Sequence, residues 1–434
     1  MEIHAMKPSR YNIYDEENYS YIANTLTGCQ IQVTKKEILG VKNAKITEFD
    51  KDELTILEDN GIIVDFELDE MQLLRNAYNS CKYTNKKATI TIAPSLSCNF
   101  ECVYCYENKN NEYMSEKTQN QVLHFLESLL TDNQISELNI CWYGGEPLLQ
   151  MDIIKKLSVE IIAFCNEKGI KYHASIITNG YLIDDEMVVD LKQCLIRVAQ
   201  ITIDGMEKTH DIRRKLISGK GTYKKIKNAI FLLAENDISV SVRVNLDKTN
   251  INEYKDVYDV FAKKRNIDCY PAIVTVEKNQ SIDQQSCCYT YLELCEFYNE
   301  IFRDKYENQK RKLDIYIQPS INNCAAEHAY SYLIAPDGHL YKCLNDICDS
   351  RYSIGHVSGE ICNAVVTAKY LGRDPFTEPE CESCPYIPVC YGGCVYEYIK
   401  HDIHACKAVK YMYKKYCQKK MGGEKDESNY QKEN

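Results

Sequence analysis

Three cysteines at the spacing CxxxCxxC, Cys98, Cys102 and Cys105, follow closely on a β-branched run, Thr89-Ile90-Thr91-Ile92-Ala93-Pro94. The run reads as a buried strand and the cysteines as the loop it delivers. Three soft thiolates on one loop can hold three irons of a cubic iron–sulfur cluster and leave the fourth iron without a protein ligand, which is where chemistry can happen. A structural zinc site closes with a fourth Cys or His nearby. The next candidate, Cys141, lies in what reads as a different strand.

The 434 residues leave room for two or three domains with a substantial core. Charged residues at 26% and hydrophobic ones at 44% are ordinary for a globular chain rather than a disordered one. No apolar run approaches the roughly 20 residues of a membrane helix, and no signal-peptide core follows Met1, so the expected setting is cytoplasmic with no membrane partner. A net charge of -11 without a concentrated basic face argues against nucleic acid. Twenty-two cysteines suit a disulfide scaffold only in a short exported chain; here they crowd toward the C-terminus, where metal or cluster ligation explains them better.

Residues 1–85 read as a small α+β module. Strands are expected at 11–14 and within 19–33, broken near Thr27-Gly28. Asp50 and Glu53 have capping-box spacing before a helix that Asn60-Gly61 stops, Ile62 to Val64 form a short strand, and Asp69 caps a helix carrying Met71, Leu74 and Tyr78. From 86 to 276 strand and helix alternate regularly. Strands are expected at 89–93, 138–143, 174–178, 198–204, 240–246 and 270–276, with helices from Ser115, at 152–164, 184–194, 223–234 and 253–262. Six such units imply a parallel sheet, doubly wound or curled into an incomplete barrel, with ligands at the C-terminal strand ends. Residues 277–319 connect, with an amphipathic helix near 291–302; 320–418 form a cysteine-rich module; 419–434 are a polar tail expected to be disordered.

Trp142-Tyr143-Gly144-Gly145-Glu146-Pro147 ends the second strand. Glycines there allow close approach to a ligand, and Glu146 supplies an acceptor for an ammonium group. Thr178-Asn179-Gly180 and Thr202-Ile203-Asp204-Gly205 end the third and fourth strands, and Arg213 or Arg214 can pair with a carboxylate or sit as solvated helix charges. Arg243 points into the same site or into an ion pair on the sheet face.

The cysteine loop, with Tyr104 just before its last Cys, resembles the signature of radical S-adenosylmethionine (SAM) enzymes, and the Gly-Gly-Glu-Pro turn resembles that family's GGE motif. The resemblance implies a partial (β/α)6 TIM-like barrel, with SAM chelated at the open iron and cleaved to a 5'-deoxyadenosyl radical. It further implies that Gly144, Gly145 and Glu146 hold SAM's amino group, and that Tyr104, Thr178, Asn179, Thr202, Asp204, Arg213 and Arg214 supply its remaining contacts. No catalytic acid or base is assigned.

Cys324 and Cys343, spaced Cx13Gx4C, are followed by Cys381, Cys384, Cys390 and Cys394 as Cx2Cx5Cx3C, with Cys406 beyond. Zinc ribbons can also be built from Cx2C pairs, but the set resembles the SPASM extension of radical SAM enzymes. That resemblance implies two auxiliary 4Fe-4S clusters, the first on Cys324, Cys343 and Cys394, the second on Cys381, Cys384, Cys390 and Cys406, making three clusters in all. Gln318 stands where relatives with a fully ligated first auxiliary cluster have an eighth cysteine; Cys269, Cys287, Cys288, Cys295, Cys348 and Cys362 are distant substitutes. A vacant iron could take a substrate thiolate.

The N-terminal order is similar to the winged-helix peptide-recognition elements of ribosomal-peptide modifying enzymes, which add a leader peptide as an extra strand; a merely packed extension is the other reading. The expected function is then a maturase that installs crosslinks, foremost Cys thioethers, in a ribosomal precursor peptide with a leader. Flavodoxin or ferredoxin would be its reductant. Carbon–carbon crosslinking and formylglycine formation by an anaerobic sulfatase-maturating enzyme are the alternatives within the family. The latter enzymes have an Asp directly after the second SPASM cysteine, where this chain has Leu344. A non-catalytic zinc-containing peptide-binding module is the reading from a different class.

Overall fold

The computed structural model describes residues 5–83, 86–105, 112–274, 293, 324–347, 349–359, 363–401 and 406–420. Apart from Glu293, the expected helix at 291–302 lies outside them, as do Gln318, Cys287, Cys288, Cys295, Cys348 and Cys362. The described chain divides into two compact units, one of residues 5–82 with 374–420, the other of 83–274 with 324–373.

The first unit opens with β1 (Met6–Pro8), β2 (Asn12–Tyr14), β3 (Tyr21–Asn24), β4 (Gln30–Gln32), α1 (Lys35–Lys42), α2 (Lys51–Asp59), β5 (Ile63–Asp65) and α3 (Glu70–Tyr83). β2, β3 and β4 form an antiparallel meander, and β1 pairs antiparallel with β5. The capping box at α2 is present: the Asp50 carboxylate accepts from the Glu53 amide at 2.9 Å, and Glu53 accepts from the Asp50 amide at 2.8 Å. The same reciprocal bonds between Thr34 and Glu37 start α1, a helix absent from the sequence-based expectation.

Ile22, Ile38, Val41, Leu57, Ile62 and Ile63 bury one core. A second core joins Tyr11, Leu74 and Tyr78 to Phe376, Cys381, Ile387 and Tyr391, so part of the cysteine-rich region shares the N-terminal segment's interior.

The second unit carries a nine-stranded sheet. Its elements are β6 (Lys87–Ile92), β7 (Phe100–Cys102), α4 (Glu116–Asp132), β8 (Glu137–Trp142), α5 (Met151–Lys168), β9 (Lys171–Thr178), α6 (Asp185–Gln193), β10 (Ile196–Thr202), α7 (Glu207–Arg213), β11 (Arg214–Leu216), α8 (Tyr223–Glu235), β12 (Ser239–Leu246), α9 (Tyr254–Phe261) and β13 (Ile267–Ile273). It continues through β14 (Ser331–Ile334), β15 (His339–Tyr341), β16 (Gly355–His356) and α10 (Ala364–Leu371). The order is β13-β12-β10-β9-β8-β6-β14-β15-β16.

Six strands, β6, β8, β9, β10, β12 and β13, are parallel and lie in chain order. A doubly wound sheet reverses its order at a switch point; this one advances in a single direction, the connectivity of a (β/α) barrel. β14 adds to the free side of β6, also parallel, so residues 331–334 belong to this sheet although they fall in the expected cysteine-rich module.

Strand alternation divides the sheet's two faces. On β12, Val240, Val242, Val244 and Leu246 are buried while Ser241, Arg243 and Asn245 are half-buried between them. β6, β8, β9 and β10 repeat the pattern, with Ile90, Ile140, Ile176 and Ile201 on the apolar side and Thr91, Asn139, Ser175, Gln200 and Thr202 on the other. Parallel sheets covered by helices on both faces read instead as continuous apolar runs. Right-handed crossovers advancing one way put every helix on one face, which leaves the polar face to enclose a site.

In the first unit the chain ends with α11 (Pro379–Glu382), α12 (Ile387–Cys390), α13 (Val395–His401) and α14 (Cys406–Lys420); helix thus carries through the first two residues of the expected tail. Among the described residues no helix is long and apolar enough to cross a membrane.

Candidate functional site

Cys98, Cys102 and Cys105 all line one cavity of about 330 Å³ on the polar side of the sheet. The loop carrying them is not loose. β7, which contains Cys102, pairs antiparallel with β11 so that Cys102 opposes Arg214 and Phe100 opposes Leu216. The Val103 amide donates to the Arg213 carbonyl at 3.1 Å, and the Phe100 amide donates to Cys98 Sγ at 3.4 Å.

Gly144 and Gly145 join the cavity wall and explain their own necessity. A Cβ on Gly145 would stand 2.4 Å from the carbonyl oxygens of both Leu96 and Ser97; one on Gly144, whose φ is +117°, would stand 2.2 Å from that of Ser95. These are backbone atoms of the segment leading into the cysteine loop, so the glycines let two backbones touch. The Glu146 amide donates to the Ser97 carbonyl at 2.8 Å and seals the contact.

Glu146 itself is fully buried and is not part of the cavity lining. Its carboxylate accepts from Thr178 Oγ1 at 2.6 Å, from the Asn179 amide at 2.7 Å and from the Leu148 amide at 3.0 Å. Burial pushes its pKa up, and those three donors oppose the shift. In this arrangement Glu146 is a clasp between the second and third strand ends, and the cavity receives what it positions: Thr178 and Asn179, both lining residues. Asn179 Nδ2 also donates to Asn99 Oδ1 at 2.7 Å, tying the third strand end to the cysteine loop.

The two arginines separate in role. Arg213 is buried behind the wall, donating from Nη1 to Asp247 at 2.6 Å and approaching Asp204 at 3.5 Å. Neither Arg213 nor Asp204 lines the cavity. Burial raises the Asp204 pKa against the opposing charges of Arg214 and Arg213. Arg214 does reach the cavity, as do Tyr104 and Thr202. Its Nη1 donates to the Tyr104 hydroxyl at 2.7 Å, which also accepts from Asn245 Nδ2 at 3.0 Å. Burial disfavours its charge, but Tyr104, Cys102 and Asp204 more than offset that and raise its pKa. Burial likewise raises the Tyr104 pKa, against Arg214.

Several lining residues were not anticipated: Tyr143, Ile177, Gln200, Asn245, Ile273, Val274 and Asn345. Arg243, whose direction the sequence left open, lines the cavity, and Leu344 closes its apolar side with Tyr143 and Ile177. Polar alternation on β10 and β12 is the signal that could have found Gln200, Arg243 and Asn245.

The cysteine-rich region splits. Cys381, Cys384, Cys390 and Cys406 line one small cavity in the first unit, with Tyr386 and Lys410 beside them. Burial, Glu378 and the three neighbouring thiols push the Cys381 pKa up to about 12. Thiols so placed resist ionising together unless a bound cation compensates, which is what a cluster's irons do. Cys324 and Cys343 belong to the second unit and Cys394 to the first.

The residues lining the larger cavity fit an iron–sulfur cluster with SAM: three thiols line it, a glycine cradle flanks them, and Arg214 Nε is buried without a hydrogen-bond partner among the described residues. Residues 92–261 match the model of the Radical SAM superfamily. The chain is 21% identical over 329 residues to the cysteine-type anaerobic sulfatase-maturating enzyme of Clostridium perfringens, covering 70% of this chain and 88% of that one. Among solved structures, anSMEcpe with bound AdoMet and the Cp18Cys peptide superposes with a TM-score of 0.61 at 18% identity, covering 77% of this chain and 98% of that one. Streptococcus suis SuiB bound to precursor peptide SuiA gives 0.52 at 16% identity, covering 91% and 97%. A strand-end cavity holding three thiols lies within the matching segment, so this chain is an enzyme that carries a radical SAM domain over residues 92–261 and is homologous to the anaerobic sulfatase-maturating enzymes and to peptide maturases.

Proposed function

We propose that this enzyme is a peptide maturase that installs crosslinks, foremost Cys thioethers, in a ribosomally made precursor. The observation that carries the reading is Leu344. It lines the cavity and packs against Tyr143, Leu333, Ala335 and Tyr341, and no Asp or Glu lines that cavity among the described residues. Formylglycine formation removes a proton from the substrate side chain, and the resemblance to sulfatase-maturating enzymes implies an Asp directly after the second SPASM cysteine; the alkyl group of Leu344 offers no acceptor there.

Cys98, Cys102 and Cys105 would hold the catalytic cluster, Gly144, Gly145, Thr178, Asn179, Thr202 and Arg214 the SAM beside it, and Cys381, Cys384, Cys390 and Cys406 an auxiliary cluster. When bound, these groups would supply an electron, a 5'-deoxyadenosyl radical able to take a carbon-bound hydrogen, an iron able to bind the substrate sulfur as thiolate with its proton released to solvent, and an acceptor for the electron released as that sulfur bonds to the carbon. The chain's own share is placement and exclusion. Ile177, Ile273, Val274 and Leu344 keep part of the wall apolar, which denies water to a reactive carbon. The β2-β3-β4 meander, whose β4 lies at a sheet edge, would take the precursor's leader as an added strand, the role of a winged-helix-like recognition module.

The test is co-expression with Cys-containing precursors, followed by mass spectrometry and anaerobic assay of SAM cleavage. A peptide that loses a hydrogen pair per linkage, with fragmentation blocked across the ring, is the expected product. Exchange of a cysteine's sulfur for oxygen would give the activity to formylglycine formation instead.

A further inference from the structure

The cavity contains a second cation that the SAM contacts above do not use. Arg243 lies on β12, opposite Thr202 of β10 and Tyr270 of β13 in register. Gly144 and Gly145, by contrast, follow β8, on the other side of β9 and β10 in the sheet order. Arg243 therefore faces the half of the cavity remote from the glycine turn.

Its surroundings hold it without neutralising it. Nε donates to Asn245 Oδ1 at 2.9 Å, and Asn245 in turn donates to the Tyr104 hydroxyl at 3.0 Å. Alongside, Gln200 Oε1 accepts from the Tyr270 hydroxyl at 2.8 Å, so the amide neighbouring Arg243 on the polar face is fixed by another partner. Among the described residues Arg243 makes no ion pair, and no carboxylate lines the cavity. A half-buried guanidinium lining the cavity, with Nε already satisfied, presents its two amino groups as a planar fork, the geometry that matches a carboxylate.

We infer that Arg243 is a substrate-positioning residue that binds a carboxylate of the peptide, from an Asp or Glu side chain near the modified cysteine or from the peptide's own C-terminus. The inference rests on the peptide-maturase reading. Arg214, held against the cysteine loop and Tyr104, takes the cosubstrate end; Arg243 takes the peptide end, and the two cations fix the reacting partners across the same cavity. Precursors acidic next to the modified cysteine are then preferred over their amide counterparts.

The experiment uses the anaerobically reconstituted holoenzyme saturated with SAM and two pairs of acetylated peptides. The first pair is Ala-Cys-Ala-Asp-Ala amide with its Asn counterpart; the second is Ala-Cys-Ala-Ala-Ala as free acid and as amide. Dissociation constants are measured for the wild type, Arg243→Gln and Arg243→Lys. Charge-assisted bonds to Arg predict that the acidic member of one pair binds about tenfold more tightly or better. Whichever pair shows the preference identifies the carboxylate's source. Arg243→Gln abolishes the preference and Arg243→Lys restores part of it, a pattern that a misfolded cavity would not produce.

Equal binding of acid and amide members by the wild type would overturn the assignment while leaving peptide recognition intact. A SAM dissociation constant raised as much as the peptide's in Arg243→Gln would also overturn it, because the residue would then serve the cosubstrate. Failure of all four peptides to bind, with SAM cleavage intact, would overturn this inference; the maturase reading, whose leader contact these short peptides lack, is tested separately by the co-expression product.

Discussion

The Asp204 amide donates to Nδ1 of His210 across 3.2 Å, which fixes the imidazole as the neutral tautomer with its proton on Nε2. That nitrogen meets Thr222 Oγ1 at 3.1 Å, and Thr222 donates on to the Arg214 carbonyl at 2.7 Å. One buried ring thus connects the fourth strand end to the residue that opposes Cys102.

Burial, then the charges of Arg214 and Arg213, hold the His210 pKa well below its ordinary value of 6.5. A depressed folded-state pKa contributes stability that is complete above the unfolded value and is lost as pH falls through it toward the folded one. The His210→Asn variant keeps an acceptor for the Asp204 amide but loses Thr222. It should be about 1–3 kcal/mol less stable than the wild type near neutral pH. Melting curves of both proteins should converge as pH drops below about 6.5, because only the wild type has an imidazole to titrate. A constant gap between them down to acid pH would sink the tautomer assignment.

Gly145→Ala tests the backbone contact beneath the cysteine loop. With two carbonyl oxygens 2.4 Å from the added methyl, neither turn nor loop can give way by rotating a side chain. Overpacking of this kind costs about 1–3 kcal/mol. The strain falls on the segment that leads to Cys98, so iron retention at this loop and SAM affinity should both drop while the cysteine-rich region keeps its metal. Wild-type SAM affinity in the variant would mean that the contact is incidental.

Replacing Cys98, Cys102 and Cys105 together by Ala should remove one cluster's iron and end 5'-deoxyadenosine formation, whereas Cys390→Ala should lower the iron bound in the other unit. Iron and sulfide analysis with electron paramagnetic resonance separates the two. Stoichiometric zinc in place of iron would reassign both cysteine sets.

What could be read from the sequence was local or periodic. Six strand–helix units, the Asp50 and Ser115 caps and the placing of Cys98, Cys102 and Cys105 on one loop follow from spacing alone, because each depends on residues a few positions apart. Glu146 was harder. Its donors Thr178 and Asn179 lie 32 and 33 residues away, and no local pattern says that a carboxylate after two glycines turns inward to them rather than outward to a ligand. β7 and β11, three residues each, are too short for alternation to register, yet their pairing places Arg214 beside Cys102. The parallel docking of β14 on β6 depends on a chain crossing of more than two hundred residues and has no local signal at all.

Leu344→Asp separates the two maturase chemistries most directly. An aspartate in this partly apolar wall exchanges an alkyl contact with Tyr143 and Tyr341 for a carboxyl group whose pKa burial raises. If the native reaction is crosslinking in a cavity without a carboxylate, the substitution introduces a poorly compensated charge. Product should then fall by about one to two orders of magnitude, consistent with roughly 1–3 kcal/mol for burying a polar group without partners. The loss should deepen as pH rises through the raised pKa, since only the ionised form is costly, and Leu344→Asn should show a loss that does not depend on pH. If the native reaction instead needs a proton acceptor at this position, Asp should raise turnover and yield a formylglycine product from cysteine peptides. Product analysis of the Asp and Asn variants across that pH range, with 5'-deoxyadenosine measured alongside, decides between them.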